Sequence, residues 1–324
     1  MTAFTFEDQE YQALTGETVL DCLLREGVSV TNSCRNGICH SCMLKSKSKL
    51  NAKSQKGLST AKKEAGYFLS CQQEVDSPLE VFRPDTSTLL TEGEIIAQER
   101  ISDSIVIIKI ETLKEFPFKA GQFLNLIRED GLCRSYSIAS QTGSQQLEFH
   151  IRKVPHGEMS SWLYDRDLLG QKIKLSEPLG ECSLTDNMRD RDLLLIGVGT
   201  GLAPLYGVVR DSLAMASMGK IHLLHGGLTI EGLYLVEDLK NLEKQNATFH
   251  YYPVFLRGQE VEGFQKGNIV ELVRAFEFNK ANTIVMVCGD PQLVKSLKQE
   301  VFLAGVPSKH IFSDPFISHT ANAK

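Results

Sequence analysis

The sequence has no apolar run that approaches the roughly 20 residues needed to span a bilayer. Its first residues, MTAFTFED, lack the basic start and the apolar core of a secretory signal peptide. Basic residues are not in excess, since the formal net charge is −5, and this argues against nucleic acid as an obligate partner. We therefore expect a cytoplasmic protein with no membrane attachment.

Low-complexity tracts and internal repeats are also missing, and 324 residues are too many for one ordinary core. Residues 1–91 combine short alternating runs, one helical stretch and a cysteine loop, which indicates a small α+β domain. Residues 92–188 contain short β-branched or aromatic runs between turns, typical of an antiparallel β-barrel. In residues 189–324 apolar strands alternate with helices, which predicts an α/β domain with a parallel sheet.

The eight cysteines do not form the pattern of a disulfide framework, which a reducing compartment would not support. Three of them fall within nine residues and a fourth stands at position 71, which suggests a metal site. The others are scattered singly, and we expect small buried apolar residues at these positions: Cys22, Cys133, Cys182 and Cys288.

Cys34, Cys39 and Cys42 have the C-x4-C-x2-C spacing of plant-type ferredoxins, and Cys71 follows 29 positions after Cys42. A 2Fe–2S cluster needs four thiolates, because each iron takes two terminal sulfurs beside the bridging sulfides. Gly37 supplies the backbone freedom of a tight ligand loop. The alternative is zinc, which usually takes two C-x2-C pairs, whereas only one is present. The pattern favours a 2Fe–2S cluster.

The residues around these cysteines resemble the 2Fe–2S ferredoxin family, which implies a β-grasp-like fold for the first domain. Arg35 and Gly37 match, and residues 67–72 (YFLSCQ) resemble the segment of the fourth ligand. His40 departs from the family, which usually has a small residue there. Because four cysteines already supply the ligands, we expect His40 to be an exposed loop residue.

Residues 134–137 (RSYS) begin a predicted barrel strand and resemble the R-x-Y-S flavin motif of the ferredoxin–NADP⁺ reductase superfamily. The resemblance implies that Arg134 holds the FAD pyrophosphate, that Tyr136 lies against the isoalloxazine and that Ser137 lies near flavin N5. A guanidinium suits a pyrophosphate and an aromatic face suits a flat ring. Taken alone, a four-residue match is weak, and a solvated strand end is the default interpretation.

A second segment, residues 150–160, resembles the superfamily's strand and turn that open a helix, and a helix N-terminus is a natural phosphate site. Residues 121–123 (GQF) fit the strand that precedes both. The predicted FAD-binding residues are Gln122, Arg134, Ser135, Tyr136, Ser137, His150, Ile151, Arg152, Gly157 and Ser160.

Residues 196–204 (IGVGTGLAP) follow an apolar strand and open a helix, where glycines let a diphosphate approach the backbone. Leu202 occupies the third glycine position of the Rossmann G-x-G-x-x-G, so that pattern is not met. The segment resembles instead the pyridine-nucleotide domain of the same superfamily, and residues 288–291 match its C-G-x-P element. A buried strand cysteine is the alternative at 288. The predicted nucleotide-binding residues are Gly197, Gly199, Thr200, Gly201, Pro204, Cys288, Gly289, Asp290 and Pro291.

The segment after the second strand of this domain, residues 226–234, has no Arg or Lys to hold a 2′-phosphate, and Glu231 would repel one. We therefore expect NADH rather than NADPH. Near the C-terminus, residues 310–316 resemble the superfamily's final strand, whose aromatic residue shields the flavin. The resemblance therefore implies a catalytic set of Tyr136, Ser137, Cys288 and Phe316. Eight residues follow Phe316, so a core or surface position is the alternative there.

The order of the three modules resembles the NADH-dependent reductase components of bacterial aromatic-ring dioxygenases and related monooxygenases. The resemblance implies an oxidoreductase that takes hydride from NADH to FAD and passes single electrons through the 2Fe–2S cluster to an oxygenase or its ferredoxin. CDP-6-deoxy-glucoseen reductase shares this layout and differs in partner. A non-turnover redox sensor or electron-transfer subunit is the alternative of another class.

Seven lysines crowd the segment between Cys42 and Cys71, and a solvated face is the simple interpretation. The sharper hypothesis is a docking patch that steers an acidic redox partner toward the cluster, on a protein that we expect to be a monomer. The lysines are Lys45, Lys47, Lys49, Lys53, Lys56, Lys62 and Lys63.

Overall fold

The computed structural model describes residues 1–215 and 219–317. Three separate sheets of five, six and six strands follow one another along the chain. They form an α+β unit, an antiparallel barrel and a parallel α/β unit in the expected order, which confirms the predicted fold class. Among the described residues, no helix combines the length and apolar character needed to cross a membrane.

The first unit is a mixed sheet of order β2-β1-β5-β3-β4, in which β1 and β5 are parallel and the other neighbours antiparallel. The helix α1 begins at Thr18, whose hydroxyl accepts a hydrogen bond from the Asp21 N–H, and it buries Leu20 and Leu23 in the core of this domain. Its elements are β1 (Thr2–Phe6), β2 (Gln9–Ala13), α1 (Val19–Arg25), β3 (Met43–Ser46), α2 (Thr60–Glu64), β4 (Tyr67–Leu69) and β5 (Glu80–Phe82).

The second unit is an antiparallel sheet of order β10-β7-β6-β11-β8-β9. A backbone hydrogen bond of 2.8 Å from Ala139 N to Glu148 O joins the two outer strands, so the sheet closes into a barrel. Its first strand begins two residues before the predicted start of this domain at residue 92. The elements are β6 (Leu90–Ser102), β7 (Ile105–Thr112), β8 (Phe123–Ile127), β9 (Cys133–Ser137), β10 (Gln146–Arg152), α3 (Glu158–Asp165) and β11 (Lys172–Ser176).

The third unit is a parallel sheet of order β15-β14-β13-β12-β16-β17, with a buried apolar cluster on each face. The chain reverses its direction of progress between β12 and β16, and ligands of such sheets bind at this switch point. The elements are β12 (Asp192–Val198), α4 (Leu202–Ala214), β13 (Ile221–Gly227), α5 (Val236–Gln245), β14 (Phe249–Phe255), β15 (Gln265–Lys266), α6 (Ile269–Ala275), β16 (Thr283–Gly289), α7 (Pro291–Leu303) and β17 (Ile311–Pro315).

The helix α4 lies against one end of the barrel. Its Asp211 accepts hydrogen bonds from the Thr142 N–H at 2.8 Å and from the Thr142 hydroxyl at 2.5 Å. Gly207 packs so closely that an added Cβ would lie 2.7 Å from the Ser140 carbonyl oxygen. The barrel therefore contacts the α/β unit through α4. Residues 318–324, part of the predicted third domain, lie outside the described residues.

Candidate functional site

The four predicted cluster ligands lie together, and the β3–β4 ladder delivers the remote one. β3 starts directly after Cys42, β4 ends two residues before Cys71, and Met43 pairs with Leu69. The Ser70 N–H also donates to the Cys42 carbonyl at 3.1 Å. In the tight loop, the N–H groups of Cys34 and Cys39 each point at the other residue's sulfur at 3.4 Å.

The four sulfurs form two pairs, Cys34 with Cys39 and Cys42 with Cys71. The pKa of Cys34 is lowered to about 5, because the Cys39 thiol and backbone N–H groups donate to its sulfur. The pKa of Cys71 is lowered to about 7 by the Cys42 thiol and the Gln72 amide. Thiolates are the form that binds iron. Two pairs fit a cluster in which each of two irons takes two thiolates.

Between residues 1–215 and 219–317, no three His, Cys, Asp or Glu side chains surround one point suited to a single metal ion. The ligand loop is held by unusual backbone conformations, with φ of 52° at Arg35 and 74° at Gly37. At a non-glycine residue such as Arg35 this conformation is costly, and such residues concentrate at functional sites, whereas Gly37 adopts it freely. The Gly37 N–H also donates to the Cys71 sulfur, so the loop conformation directs a backbone dipole at a ligand.

His40 is half-buried, so the prediction of an exposed loop residue was wrong. The loop of residues 51–58 folds over it, and an added Cβ at Gly57 would lie 3.2 Å from its Nε2. Its Nδ1 is buried without a hydrogen-bond partner among the described residues, and burial lowers its pKa. His40 is therefore a neutral side chain packed behind the cluster loop.

One face of β9 carries the flavin motif toward the barrel core. Arg134 and Tyr136 stand opposite Leu126 and Leu124 of β8, and Tyr136 packs on the core. The half-buried Arg134 guanidinium donates to the Cys133 carbonyl at 2.7 Å and forms no ion pair with a carboxylate in the described part of the chain. A half-buried cation without a carboxylate suits a pyrophosphate, so this residue fits FAD.

The other face of β9 contacts both neighbouring domains. The Ser135 hydroxyl donates to Asn125 Oδ1 at 2.8 Å, and Asn125 in turn bonds to the cluster loop. The Ser137 hydroxyl donates to Asp314 Oδ2 of β17 at 2.7 Å. Burial raises the pKa of Asp314 to about 6. One short strand therefore links the cluster loop at one end to the nucleotide domain at the other.

The remaining predicted FAD residues lie at a turn, in the barrel core and at the start of α3. Gln122 accepts from the Lys119 N–H at 2.8 Å, and Ile151 lies in the barrel core. Gly157 caps α3 and Ser160 holds its turn by donating to the Gly157 carbonyl at 3.1 Å. Any contact of Ile151 with a cofactor would therefore be through its backbone, and these FAD roles stay predictions.

His150 and Arg152 of β10 face the third unit. The buried His150 is hydrogen-bonded through Nδ1 to the Tyr234 hydroxyl and through Nε2 to Glu148, both at 3.0 Å. Burial lowers its pKa, so the imidazole is neutral. Arg152 is exposed, and an added Cβ at Gly199 would lie 3.6 Å from its Nη1. Arg152 is thus placed beside the glycine turn of the predicted nucleotide site.

The glycine turn after β12 touches the end of β16 at the switch point. A Cβ at Gly201 would lie 2.1 Å from the Cys288 carbonyl oxygen, and one at Gly197 would lie 2.9 Å from the Gly201 carbonyl oxygen. Gly289 has φ of 128°, and a Cβ added there would lie 2.7 Å from the Val198 carbonyl oxygen. A 3-10 turn of residues 199–201 runs directly into α4, and the Leu202 N–H is bonded to the Gly199 and Thr200 carbonyls. These features fit a dinucleotide.

The other residues of the predicted nucleotide set support this turn. Thr200 and Pro204 are buried at the start of α4. Asp290 caps α7 by accepting from the N–H groups of Gln292 at 2.9 Å and Leu293 at 3.1 Å, and Pro291 is the first residue of that helix. The Asp290 side chain is therefore already engaged in holding the helix.

Three of the four predicted catalytic residues converge at the barrel edge of β16 and β17, whereas Tyr136 lies on the opposite face of β9. Cys288 pairs in register with Asp314, which holds Ser137. Phe316 is half-buried, and its N–H donates to the Gly289 carbonyl at 2.8 Å. The buried Cys288 sulfur lies 3.5 Å from that of Cys182, and burial raises its pKa. Ser137, Cys288 and Phe316 thus come from distant segments to one place.

Three residues at these contacts escaped the sequence analysis. Asn125 received no role, although a polar residue within the run FLNLI is itself a signal. Asp314 lies in the quoted C-terminal motif without an assigned role. Arg257 follows β14, and its N–H donates to the Leu228 carbonyl at 2.8 Å, beside the segment thought to lack cations. The four scattered cysteines are all buried, as expected.

Three family models match consecutive parts of the chain. They are a 2Fe-2S iron-sulfur cluster binding domain at residues 5–76, an oxidoreductase FAD-binding domain at 92–184 and an oxidoreductase NAD-binding domain at 195–299. Their order agrees with the three sheets. The matches support a 2Fe–2S cluster, FAD and NAD(H) as the cofactors.

Similar proteins extend over nearly the whole chain. The reductase component of the naphthalene 1,2-dioxygenase system of Pseudomonas putida is 28% identical, over 93% of this chain and 94% of that protein. The toluate 1,2-dioxygenase electron transfer component of Pseudomonas putida is 27% identical, over 97% of each. A crystal structure of a cytochrome P450 reductase from Amycolatopsis superposes with a TM-score of 0.69 at 25% identity, covering 98% of this chain and 99% of that one.

Proposed function

The chain belongs to the ferredoxin–NADP⁺ reductase superfamily, in the group with an N-terminal 2Fe–2S domain, and we propose that it supplies electrons to an oxygenase. The observation that carries the proposal is β9, whose outer face is joined to the cluster loop through Asn125 of β8 and to Asp314 of the nucleotide domain through Ser137. Four residue steps separate Cys133 from Ser137, about 13 Å of strand. The nucleotide and cluster sites are therefore neighbours across one strand.

When bound, FAD accepts a hydride from NADH and returns the two electrons singly to an iron–sulfur cluster. The chain's own residues bind and orient. Arg134 provides the cation for a pyrophosphate, and the turn of Gly197 and Gly201 admits a dinucleotide to the N-terminus of α4. Ser137 is held by Asp314, which fixes the direction of its hydroxyl proton. Backbone N–H groups around Cys34 stabilise thiolate charge.

The test of this function is catalytic turnover. With NADH in excess, the purified protein should reduce cytochrome c continuously, at many molecules per chain. A redox sensor would instead take up electrons once and stop. Reduction of an oxygenase encoded beside this gene, at a rate that supports its turnover, would establish the partner.

We expect the protein to prefer NADH, with kcat/KM higher for NADH than for NADPH by about tenfold. The structure places Glu231 exposed after β13, and a hydrogen bond from Thr229 lowers its pKa, so that it is ionised. Arg257 is held beside this segment by the hydrogen bond from its backbone N–H to the Leu228 carbonyl. Steady-state kinetics with both nucleotides test the preference, and Glu231→Gln should narrow it. A kcat/KM for NADPH equal to or higher than that for NADH would contradict the preference. In that case Arg257 would hold the 2′-phosphate, and Arg257→Ala should lower kcat/KM for NADPH.

The lysine-rich segment divides into two parts. Lys62 is ion-paired with Glu177 of the barrel, and Lys45 lies over the Tyr67 ring at 4.9 Å, so neither is free for a partner. Lys47 and Lys63 line a groove of about 400 Å³ near Ser46, at the end of β3 that is farther from Cys42.

The second part lies nearer the cluster. Exposed Lys53 and Lys56 belong to a loop that returns to the cluster, where Ser54 O accepts from the Leu69 N–H at 2.8 Å and Gly57 covers His40. We therefore place the docking site for an acidic partner at Lys53 and Lys56.

Reversing both charges in Lys53→Glu/Lys56→Glu should slow reduction of an acidic plant-type ferredoxin by about tenfold at low salt, because steering toward the cluster is lost. The difference should shrink as ionic strength rises. Basic cytochrome c should be reduced at least as fast as by the wild type. The matched control is Lys47→Glu/Lys49→Glu, with the same charge change at the far end of β3. Equal slowing by both pairs, or by neither, would contradict the placement.

A further inference from the structure

Asn125 is a buried amide at the boundary between the barrel and the cluster domain. It is 2% exposed and stands in the middle of β8, between Leu124 and Leu126. A carboxamide at such a position is unfavourable unless its polar groups are satisfied. Its hydrogen-bond partners therefore indicate why the strand has a polar residue here.

The Asn125 side chain bonds to two different domains. Its Nδ2 donates to the Cys39 carbonyl at 2.7 Å, and its Oδ1 accepts from the Ser135 hydroxyl at 2.8 Å. Its backbone N–H donates to the Ser176 hydroxyl at 3.0 Å. One buried side chain therefore connects the backbone of a cluster ligand to the strand of the flavin motif.

The other polar contacts at this boundary are less directional. Lys62 and Glu177 form an ion pair whose carboxylate is 51% exposed, and such pairs hold geometry weakly. Ser41 lies 3.1 Å from the Cys39 sulfur and contacts the Cys133 thiol, which is a weak hydrogen-bonding group. The amide of Asn125 is buried and bonded at both ends, so it restrains the loop most strongly.

We propose that Asn125 is a positioning residue for electron transfer between the barrel and the cluster domain. The inference rests on the proposed function. One electron passes from reduced FAD to a ferric iron of the cluster, and no bond or proton changes at Asn125. The residue acts by holding the Cys39 loop at a fixed separation from β9, because small displacements of reacting centres slow their reaction strongly.

The test compares Asn125→Ala and Asn125→Asp with Gln98→Ala. Asn125→Asp keeps the shape of the side chain and, once ionised, faces the Cys39 carbonyl with an acceptor in place of the donor; because burial raises the pKa of such a carboxyl, the measurements are made at pH 9. Gln98 of β6 also makes three amide hydrogen bonds, but all within the barrel: to the carbonyls of Leu163 at 3.0 Å and Arg166 at 2.8 Å, and from the Leu168 N–H at 3.1 Å. It controls for loss of barrel hydrogen bonds as such.

After rapid anaerobic mixing with NADH, flavin bleaching is followed by absorption and cluster reduction by freeze-quench electron paramagnetic resonance. Both Asn125 variants should bleach within about twofold of the wild type and reduce the cluster on the order of tenfold more slowly. Amide hydrogen exchange over residues 34–42 of the resting protein should be faster. Gln98→Ala should change neither quantity.

Wild-type cluster reduction and wild-type exchange in Asn125→Asp would overturn the proposal, as would the same changes in Gln98→Ala. Because Asn125→Asp preserves side-chain volume, it provides the test of the proposal if Asn125→Ala does not fold. Failure of the proposed function would look different: the wild type itself would show no reduced-cluster signal after NADH. The exchange measurement reports on the loop in either case.

Discussion

Cys71→Ala should lower NADH-driven reduction of cytochrome c by at least about 100-fold, because changes even outside the ligand sphere of a metal cost 10–100-fold. Cys71 pairs with Cys42, and its loss leaves one iron with a single protein thiolate. Iron content and the electron paramagnetic resonance signal of the reduced cluster should fall together. NADH-driven reduction of ferricyanide, which accepts electrons directly from flavin, should stay within about twofold of the wild type.

The matched control is Cys22→Ala, since Cys22 is a buried cysteine of the same domain that lies in α1, outside the ligand set. It should keep its iron and its cytochrome c activity at some cost in stability. Retention of both iron and cytochrome c activity in Cys71→Ala would show that Cys71 is not a cluster ligand.

Gly201→Ala should lower kcat/KM for NADH by on the order of 100-fold, because the ends of β12 and β16 must separate to admit the new methyl group. Its Cβ would lie 2.1 Å from the Cys288 carbonyl oxygen, a backbone atom that cannot rotate away. Overpacking of this kind also costs about 1–3 kcal/mol of unfolding free energy. FAD content should be unchanged, since the predicted FAD residues lie on the barrel.

Stopped-flow bleaching of flavin by NADH measures the effect, and reduction by dithionite shows whether the cluster is still intact. Gly232→Ala is the control: it makes the same substitution in the same domain, where an added Cβ meets no atom within 4 Å. A Gly201→Ala protein that is reduced by NADH as fast as Gly232→Ala would contradict the close approach at the switch point.

Contiguous motifs made the cofactors and the order of domains predictable. The spacing of Cys34, Cys39 and Cys42 reflects one tight loop, so the short segment itself carries the chemistry. The same holds for the glycine turn after β12, where a close backbone approach requires residues without a Cβ. Local sequence is informative at these places because local geometry and function coincide.

Contacts across domain boundaries could not be derived in this way. Ser137 and Asp314 are 177 positions apart, and Asn125 and Cys39 are 86 apart. The pattern of β9 shows that alternate residues face opposite sides, but not which domain covers each side. The prediction for His40 failed for a related reason, since the loop that covers it closes through Gly57. Tertiary packing decides such contacts, and one sequence shows only that a buried polar residue needs a partner.

We propose that electrons from NADH cross β9 to the four cysteines. The most direct measurement is anaerobic addition of NADH to a protein of known metal and flavin content, followed by electron paramagnetic resonance at low temperature. We expect about one FAD and two iron atoms per chain, and a reduced 2Fe–2S signal that appears after the flavin is bleached. Zinc in place of iron, or bleached flavin without a cluster signal, would contradict it.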